Sequence, residues 1–73
     1  MTPLRAGVIG VGHLGQHHAR LYASLPGVQL IGVADQSLER AQTVADRHGV
    51  RVFRTAEELL PQVDVVSVAV PTS

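Results

Sequence analysis

Several residue types are missing from this sequence. It has no cysteine and no tryptophan, and all six of its basic residues are arginine. Without cysteine, neither disulfides nor a thiolate metal site can stabilise the chain. Aromatic residues make up only 3%, yet 45% of the residues are hydrophobic, which is too many for a disordered chain. This apolar content is mostly valine, alanine and leucine and suits a sheet packed between helices.

Excess charge is absent as well. Six basic and six acidic residues give a formal net charge of zero, which argues against a nucleic-acid partner. The first residues lack a basic segment followed by an apolar stretch, so they do not resemble a signal peptide. No apolar run approaches the roughly 20 residues that a membrane span needs. We therefore expect a cytoplasmic protein with no membrane partner.

Four short apolar runs alternate with segments of helical periodicity along the 73 residues. The runs predict strands at 6–10, 28–34, 50–53 and 65–70. The segments between them predict helices at 13–25 and 38–48, and a brief one that begins after Thr55 and is interrupted at Pro61. This order, β-α-β-α-β-α-β, implies right-handed crossovers and a parallel sheet. The fold class is therefore α/β, a Rossmann-type doubly wound parallel sheet. Because such domains usually have six strands, we expect a partial one, with strand order 3-2-1-4.

Local signals mark the ends of the helices. Ser37 is a candidate N-cap for the second helix, and Gly49 follows that helix where a left-handed C-cap belongs. Thr55 and Glu58 have the spacing of a capping box. An apolar stripe at helical spacing predicts the inner face of the first helix. Its members are Leu14, His18, Leu21, Tyr22 and Leu25.

The chemistry of the chain is carried by the motif Gly10-Val11-Gly12-His13-Leu14-Gly15, a G-x-G-x-x-G. It follows a predicted strand, opens a predicted helix and is followed about 20 residues later by an acidic residue, which is the context of a dinucleotide site. Gly10 permits the tight turn out of the strand. Gly12 lets the backbone approach a pyrophosphate, and Gly15 lets the helix pack closely on the sheet.

The predicted cofactor contacts follow from this motif. Backbone amides near His13 and Leu14, at a helix N-terminus, favour phosphates. Asp35, at the tip of the second strand, can accept hydrogen bonds from the adenosine ribose hydroxyls and would repel a 2′-phosphate, and Gln36 beside it joins the predicted site. We therefore predict NAD as the cofactor. NADP remains possible, because Arg40 could partner a 2′-phosphate.

Other interpretations of the same residues remain open. The glycines could serve only a structural turn, and Asp35 could be only a turn or capping residue. His13 and His17 have the i, i+4 spacing of metal ligands, but no third ligand is evident and a helix N-terminus disfavours a cation. We therefore predict no metal site. His18 is expected to be a packed, hydrogen-bonded histidine.

The tip of the fourth strand borders the site in this topology, because ligands bind at the switch between strands one and four. Ala69 and Val70 would offer small apolar surface to the cofactor. Pro71 would direct the chain, and Thr72 could donate a hydrogen bond to a ribose or a phosphate. An equally good interpretation is that Pro71 merely ends a strand.

The combination of segments resembles the Gfo/Idh/MocA oxidoreductases. The resemblance rests on 8–15 with His18, on Gly32-Val33-Ala34-Asp35, on 53–60 and on 68–72. It implies an NAD(P)-dependent enzyme that transfers a hydride between nicotinamide and a secondary alcohol or ketone. The expected substrates are sugars, inositols or sugar nucleotides. The stretches His17–Arg20 and Tyr22–Gly27 are similar to members that act on UDP-N-acetylglucosamine.

The resemblance also implies a second domain. Residues 1–73 would be an incomplete N-terminal NAD(P)-binding domain. The family's catalytic lysine, which follows a fifth strand, and its downstream catalytic histidine would lie beyond Ser73, and a C-terminal domain would make the contacts of a homo-oligomer. No catalytic residue is therefore assigned here. A non-enzymatic NAD-binding regulator remains an alternative, since a fold does not determine a function. A transferase that binds S-adenosylmethionine is disfavoured by the intact motif and its downstream Asp35.

Overall fold

The computed structural model describes residues 3–69, and within them strands and helices alternate along the chain. The strands are β1 (Leu4–Ile9), β2 (Val28–Ala34), β3 (Arg51–Phe53) and β4 (Val65–Val68). The helices are α1 (His13–Ser24), α2 (Leu38–His48) and α3 (Ala56–Leu59), and a 3₁₀ turn follows at Leu60–Gln62. The predicted elements are all present. Most bounds agree within a residue, and β1 begins two residues earlier than expected.

The strands form one parallel sheet in the order β3-β2-β1-β4. This confirms the predicted α/β fold and its strand order. The β1–β2 ladder is irregular between Ala6 and Gly7, where the register shifts by one residue. Because every ladder is parallel, the carboxyl ends of the strands meet at one edge of the sheet, where ligands bind in open α/β folds.

Two apolar clusters cover the two faces of the sheet. The larger lies between the sheet and the helices α1 and α2, and its buried members are Val8, Val11, Ala19, Leu30, Val33, Ala41, Val44 and Ala45. The smaller lies against α3 and contains Ala34, Phe53 and Leu59. Within residues 3–69, no polar or charged residue is fully buried. Burial on both faces explains why the strands are continuous rather than alternating apolar runs.

The predicted caps of α2 form in full, and the predicted capping box of α3 forms in part. The Ser37 hydroxyl accepts from the Arg40 N–H at 3.2 Å, and Gly49 ends α2 with a φ of 67°. The Thr55 hydroxyl accepts from the Glu58 N–H at 3.2 Å. The reciprocal bond of a full capping box, from the Thr55 N–H to the Glu58 carboxylate, is not formed within the described residues.

The predicted inner face of α1 is wrong for its three leucines. Leu14 is 58% exposed, and Leu21 and Leu25 are each 46% exposed. The buried residues of this helix are instead Gly15 and Ala19. These small residues let the helix axis lie close to the sheet. The space between helix and sheet is then too narrow for leucine side chains, which lie on the exposed sides of the helix instead.

His18 and Tyr22 are the members of that stripe that are half-buried. The Tyr22 hydroxyl is hydrogen-bonded to the Ser67 hydroxyl at 2.8 Å, which joins α1 to β4. The hydrogen bond expected for His18 is not found. Its Nδ1 atom is buried and has no partner among residues 3–69.

The helices of the described residues are short compared with the thickness of a bilayer. The longest helix of the described part, α1, has 12 residues, whereas a bilayer span takes about 20. No helix within residues 3–69 could therefore cross a bilayer.

Candidate functional site

A crevice of about 940 Å³ opens at the carboxyl ends of the strands. The glycine loop, the start of α1 and the tip of β2 form most of its wall, and the tips of β3 and β4 complete it. Eight of the predicted site residues line it: Gly10, Gly12, His13, Leu14, Gly15, Asp35, Gln36 and Ala69. The remaining three, Val70, Pro71 and Thr72, lie outside the described residues.

The turn out of β1 depends on two glycines. Gly10 has a φ of 86°, which side-chain-bearing residues rarely adopt, and its N–H donates to the Ala34 carbonyl at 2.7 Å. A Cβ placed on Gly15 would overlap the Gly10 carbonyl oxygen. The first turn of α1 is thus held against the loop, which brings the helix N-terminus to the edge of the crevice.

Gly12 differs, because nothing in the protein itself requires a glycine there. Its φ of −69° and ψ of −161° are extended and open to any residue. A Cβ at this position would meet no atom closer than the Arg40 Nη1, 3.8 Å away. Gly12 precedes a helix whose first N–H groups have no intrahelical partner, and it supplies no side-chain cap. The open space above these N–H groups fits the pyrophosphate of a dinucleotide.

Asp35 joins the glycine loop to the start of α2. Its Oδ2 accepts from the Val11 N–H at 2.7 Å, and its Oδ1 accepts from the Ser37 N–H at 2.8 Å. An ionised carboxylate offers about four acceptor positions, so each oxygen can accept another bond from a hydroxyl in the crevice. Asp35 is half-buried and lines the crevice, and its two backbone bonds orient its carboxylate.

The bond from Val11 to Asp35 was missed by sequence reasoning, which treated the loop and the acidic residue as separate ligand contacts. No local signal could have shown it, because the two residues are 24 positions apart. Their closeness follows from β1 and β2 being neighbours, with Ile9 paired to Ala34.

The crevice also has residues that sequence reasoning did not assign. Arg54, Thr55 and Ala56, between β3 and α3, form the wall beyond β2. The predicted strand order could have indicated them, since it makes the tip of β3 the neighbour of Asp35. Arg40 lies in the same crevice. Two arginines and a helix N-terminus thus give it a positive lining, with Asp35 as the acidic member.

Metal-ligating side chains do not cluster in this region. Within residues 3–69, no three histidine, aspartate or glutamate side chains are grouped closely enough to hold a metal ion. Ala69, at the tip of β4, is buried and donates its N–H to the Ile9 carbonyl at 2.8 Å. This bond continues the β1–β4 ladder to the crevice edge, so the wall there is apolar.

Comparison with known families decides the identity. The family model GFO_IDH_MocA, described as an oxidoreductase family with an NAD-binding Rossmann fold, matches residues 4–73. The chain belongs to this family. The resemblance seen in the sequence is thereby confirmed, and NAD is the cofactor that this family's fold binds.

Individual proteins that are similar to this chain are named as dehydrogenases. The UDP-N-acetylglucosamine 3-dehydrogenase of Acidithiobacillus ferrooxidans is 49% identical over 73 residues, covering 100% of this chain and 23% of that protein. The scyllo-inositol 2-dehydrogenase (NAD(+)) of Bacillus subtilis is 38% identical, covering 96% of this chain and 22% of that protein. The chain thus spans less than a quarter of the length of these members of the Gfo/Idh/MocA family.

Solved structures show the same fold. The structure of the Acidithiobacillus ferrooxidans enzyme matches with a TM-score of 0.90 over 100% of this chain and 24% of that one. GenD2 from gentamicin A biosynthesis, solved in complex with NAD, matches at 33% identity with a TM-score of 0.90, over 100% of this chain and 22% of that one.

Proposed function

We propose that the protein is an NAD-dependent dehydrogenase that transfers a hydride between nicotinamide and a secondary alcohol or ketone of a sugar-like substrate. Residues 1–73 supply the N-terminal cofactor-binding part. When bound, the nicotinamide supplies the hydride chemistry. The residues of this chain bind and orient the adenosine and pyrophosphate portions of the cofactor.

The observation that carries this proposal is the paired geometry of Gly12 and Asp35. Gly12 leaves open the space in front of the α1 N-terminus, where a Cβ would meet nothing within 3.8 Å. Asp35 lies beside that space and keeps acceptor positions unused after its two backbone bonds. A pyrophosphate and a ribose diol are the groups that these two features fit together.

The substrate class rests on the relatives. One relative is named for UDP-N-acetylglucosamine, another for scyllo-inositol, and a third, from Escherichia coli, for a D-glucoside. We propose UDP-N-acetylglucosamine as the substrate, because the relative named for it is 49% identical. The stretches His17–Arg20 and Tyr22–Gly27, in α1 and just after it, also resemble members that act on this compound. Formation of NADH from each of the three compounds distinguishes them.

The domain organisation, cellular location and partners of the whole protein are also proposals. The chain corresponds to less than a quarter of each relative, so we propose that the catalytic residues lie beyond Ser73 and that a C-terminal domain makes the homo-oligomer contacts. We propose a cytoplasmic location, with neither nucleic acid nor membrane as a partner. The balanced charge of the chain supports this proposal.

Replacing Asp35 with serine tests the cofactor assignment. In the protein at its full natural length, Asp35→Ser should weaken NAD binding at least about tenfold, because hydrogen bonds to a charged acceptor are worth roughly 1.5–3 kcal/mol. NADP binding should strengthen, since the repulsion of a 2′-phosphate is removed and Arg40 lies in the same crevice. Calorimetric titration with both cofactors measures the two changes.

The opposite direction of the two changes separates cofactor selection from loop damage. Loss of the Val11 bond alone would weaken NAD and NADP together. Ser37→Ala is the matched control, because it removes the α2 cap and keeps the backbone N–H that Asp35 accepts. Its cofactor preference should not change. Equal affinities of the parent protein and Asp35→Ser for NAD would contradict the proposal.

A further inference from the structure

A second concave surface lies between α1 and α2, on the outside of the larger cluster. This groove has a volume of about 540 Å³ and adjoins the cofactor crevice at His13 and Leu14. Its other lining residues are Gln16, His17, Arg20, Arg47 and His48. None of its lining residues apart from His13 and Leu14 takes part in the crevice.

Arginine and histidine are concentrated in the lining of this groove, although the net charge of the whole chain is zero. Two of the six arginines and three of the four histidines line it. Among residues 3–69, no acidic side chain lines it. The nearest carboxylate in sequence, on Asp46, accepts instead from the Gln42 side chain at 2.7 Å. Positive charge is therefore concentrated in this groove without an internal partner.

Helical spacing explains the wall formed by α1. His13, His17 and Arg20 follow each other at intervals of four and three residues, which places them on one face of the helix. Gln16 lies on the same face. Three side chains with N–H donors thus point toward one space, where neutral histidine still offers one donor and arginine offers five.

The opposite wall is held in place by a chain of hydrogen bonds. The Arg47 Nη1 donates to the Gln16 Oε1 at 3.3 Å, and the Gln16 Nε2 donates to the Val11 carbonyl at 3.3 Å. One nitrogen of the guanidinium is thereby engaged, and its other donors remain for a ligand. A restrained guanidinium loses less side-chain entropy when it binds an anion.

We propose that this groove is a second anion site, which takes the phosphoryl group of a small phosphorylated molecule. Arginine matches the oxygens of a phosphoryl group with two parallel hydrogen bonds, and histidine donors can satisfy the remaining oxygens. A volume of about 540 Å³ lies within the usual range for small-molecule sites and exceeds what the anion alone would fill. The proposal goes beyond cofactor binding and does not depend on it.

The test is a calorimetric titration of the full-length protein with glycerol 3-phosphate and, separately, with inorganic phosphate, each without NAD and in saturating NAD. Binding of either probe with NAD present supports the site. The probe that binds with the higher affinity shows whether the natural ligand is a phosphate ester or the free phosphate ion. Absence of binding by both probes, or binding that NAD abolishes, would overturn the proposal, because an anion held only in the crevice competes with the cofactor.

Charge-removing variants locate the binding. Arg20→Gln and Arg47→Gln should each weaken the bound probe about tenfold, the size expected for a charge-assisted contact. Arg51→Gln is the matched control, since Arg51 lies outside the groove, against the Phe53 ring, and should leave the affinity unchanged. Equal losses in all three variants would indicate a nonspecific charge effect and overturn the site. NAD affinity, titrated without phosphate, reports separately on the proposed dehydrogenase function.

Discussion

At the scale of single residues, the glycine motif contains positions required for different reasons. Gly15 is required by the protein itself, since a Cβ there would overlap the Gly10 carbonyl oxygen. Gly12 has ordinary backbone angles and open space around it, so we propose that the bound cofactor, not the fold, requires glycine there. Folding and binding constraints are thus separable within six consecutive residues.

The two alanine substitutions should therefore behave oppositely. Gly12→Ala is expected to lower the free energy of unfolding by less than about 1 kcal/mol, because Gly12 is the N-cap of α1 and alanine is a poorer cap. It should weaken NAD binding at least about tenfold, because the new methyl group occupies the space of the pyrophosphate. Gly15→Ala is expected to destabilise the fold by about 1–3 kcal/mol, the usual cost of overpacking. Urea unfolding without cofactor and NAD titration measure the two quantities.

Each variant serves as the control for the other. A Gly12→Ala protein that unfolds as easily as Gly15→Ala would show that Gly12 is a structural residue. Undiminished NAD affinity in Gly12→Ala would show that the pyrophosphate does not approach this position.

At the scale of elements, the short helix α3 depends on its cap. It has four residues, too few for helical hydrogen bonds to sustain it alone. Its Leu59 is fully buried and packs over Gly7, where a Cβ would come within 3.0 Å of the leucine methyl carbons. The Thr55 hydroxyl caps the N-terminus of this helix. One cap bond therefore stabilises the helix, and one buried leucine packs it against the sheet.

Removing the cap should loosen α3 measurably. Thr55→Ala is expected to lower the free energy of unfolding by about 1 kcal/mol, and Thr55→Ser should retain most of it, because serine supplies the same acceptor. Thr43→Ala is the matched control, because Thr43 is exposed on α2, its hydroxyl bonds only the Glu39 carbonyl and alanine is the better helix former. Chemical denaturation compares the three, and equal effects of both alanine variants would argue against the cap.

At the scale of the whole molecule, one exposed pair joins chain segments 59 positions apart. Asp64 accepts from the Arg5 N–H at 2.9 Å and pairs with its guanidinium at 3.3 Å, and the Asp64 N–H donates to the Arg5 carbonyl at 2.7 Å. These bonds fasten the start of β4 to the start of β1, at the edge opposite the crevice. The backbone bond first, and then the side chain of Arg5, lower the pKa of Asp64 below its usual 3.8.

The stability that this carboxylate contributes should depend on pH. Because its pKa is lowered in the folded state, the contribution is present above about pH 4 and is lost as the pH falls through the folded value. The parent protein should therefore be more stable than Asp64→Asn at pH 7, and the difference should shrink toward pH 3. Denaturation midpoints across this range measure it. The stability difference between the parent protein and Arg5→Gln should be smaller, because this variant keeps the backbone N–H that donates to Asp64. If the difference between the parent and Asp64→Asn did not change with pH, ionisation of Asp64 would be excluded as its cause.

How far the sequence predicts the molecule varies with the range of the interactions. The alternation of strands and helices, the caps at Ser37 and Thr55 and the turn at Gly49 all follow from residues within a few positions of each other. The inner face of α1 was predicted wrongly, because its leucine periodicity indicated one side while close packing by Gly15 and Ala19 selected another.

By itself, the sequence determined the order of the elements, the parallel sheet and the glycine loop that opens α1, because each depends on local backbone preferences and periodicity. Only the tertiary structure decided that Asp35 holds the Val11 N–H, that Arg40 lies over Gly12 and that cationic side chains from α1 and α2 share one groove. Those arrangements join residues far apart in the chain, and their geometry is set by strand adjacency and by how closely each helix packs on the sheet.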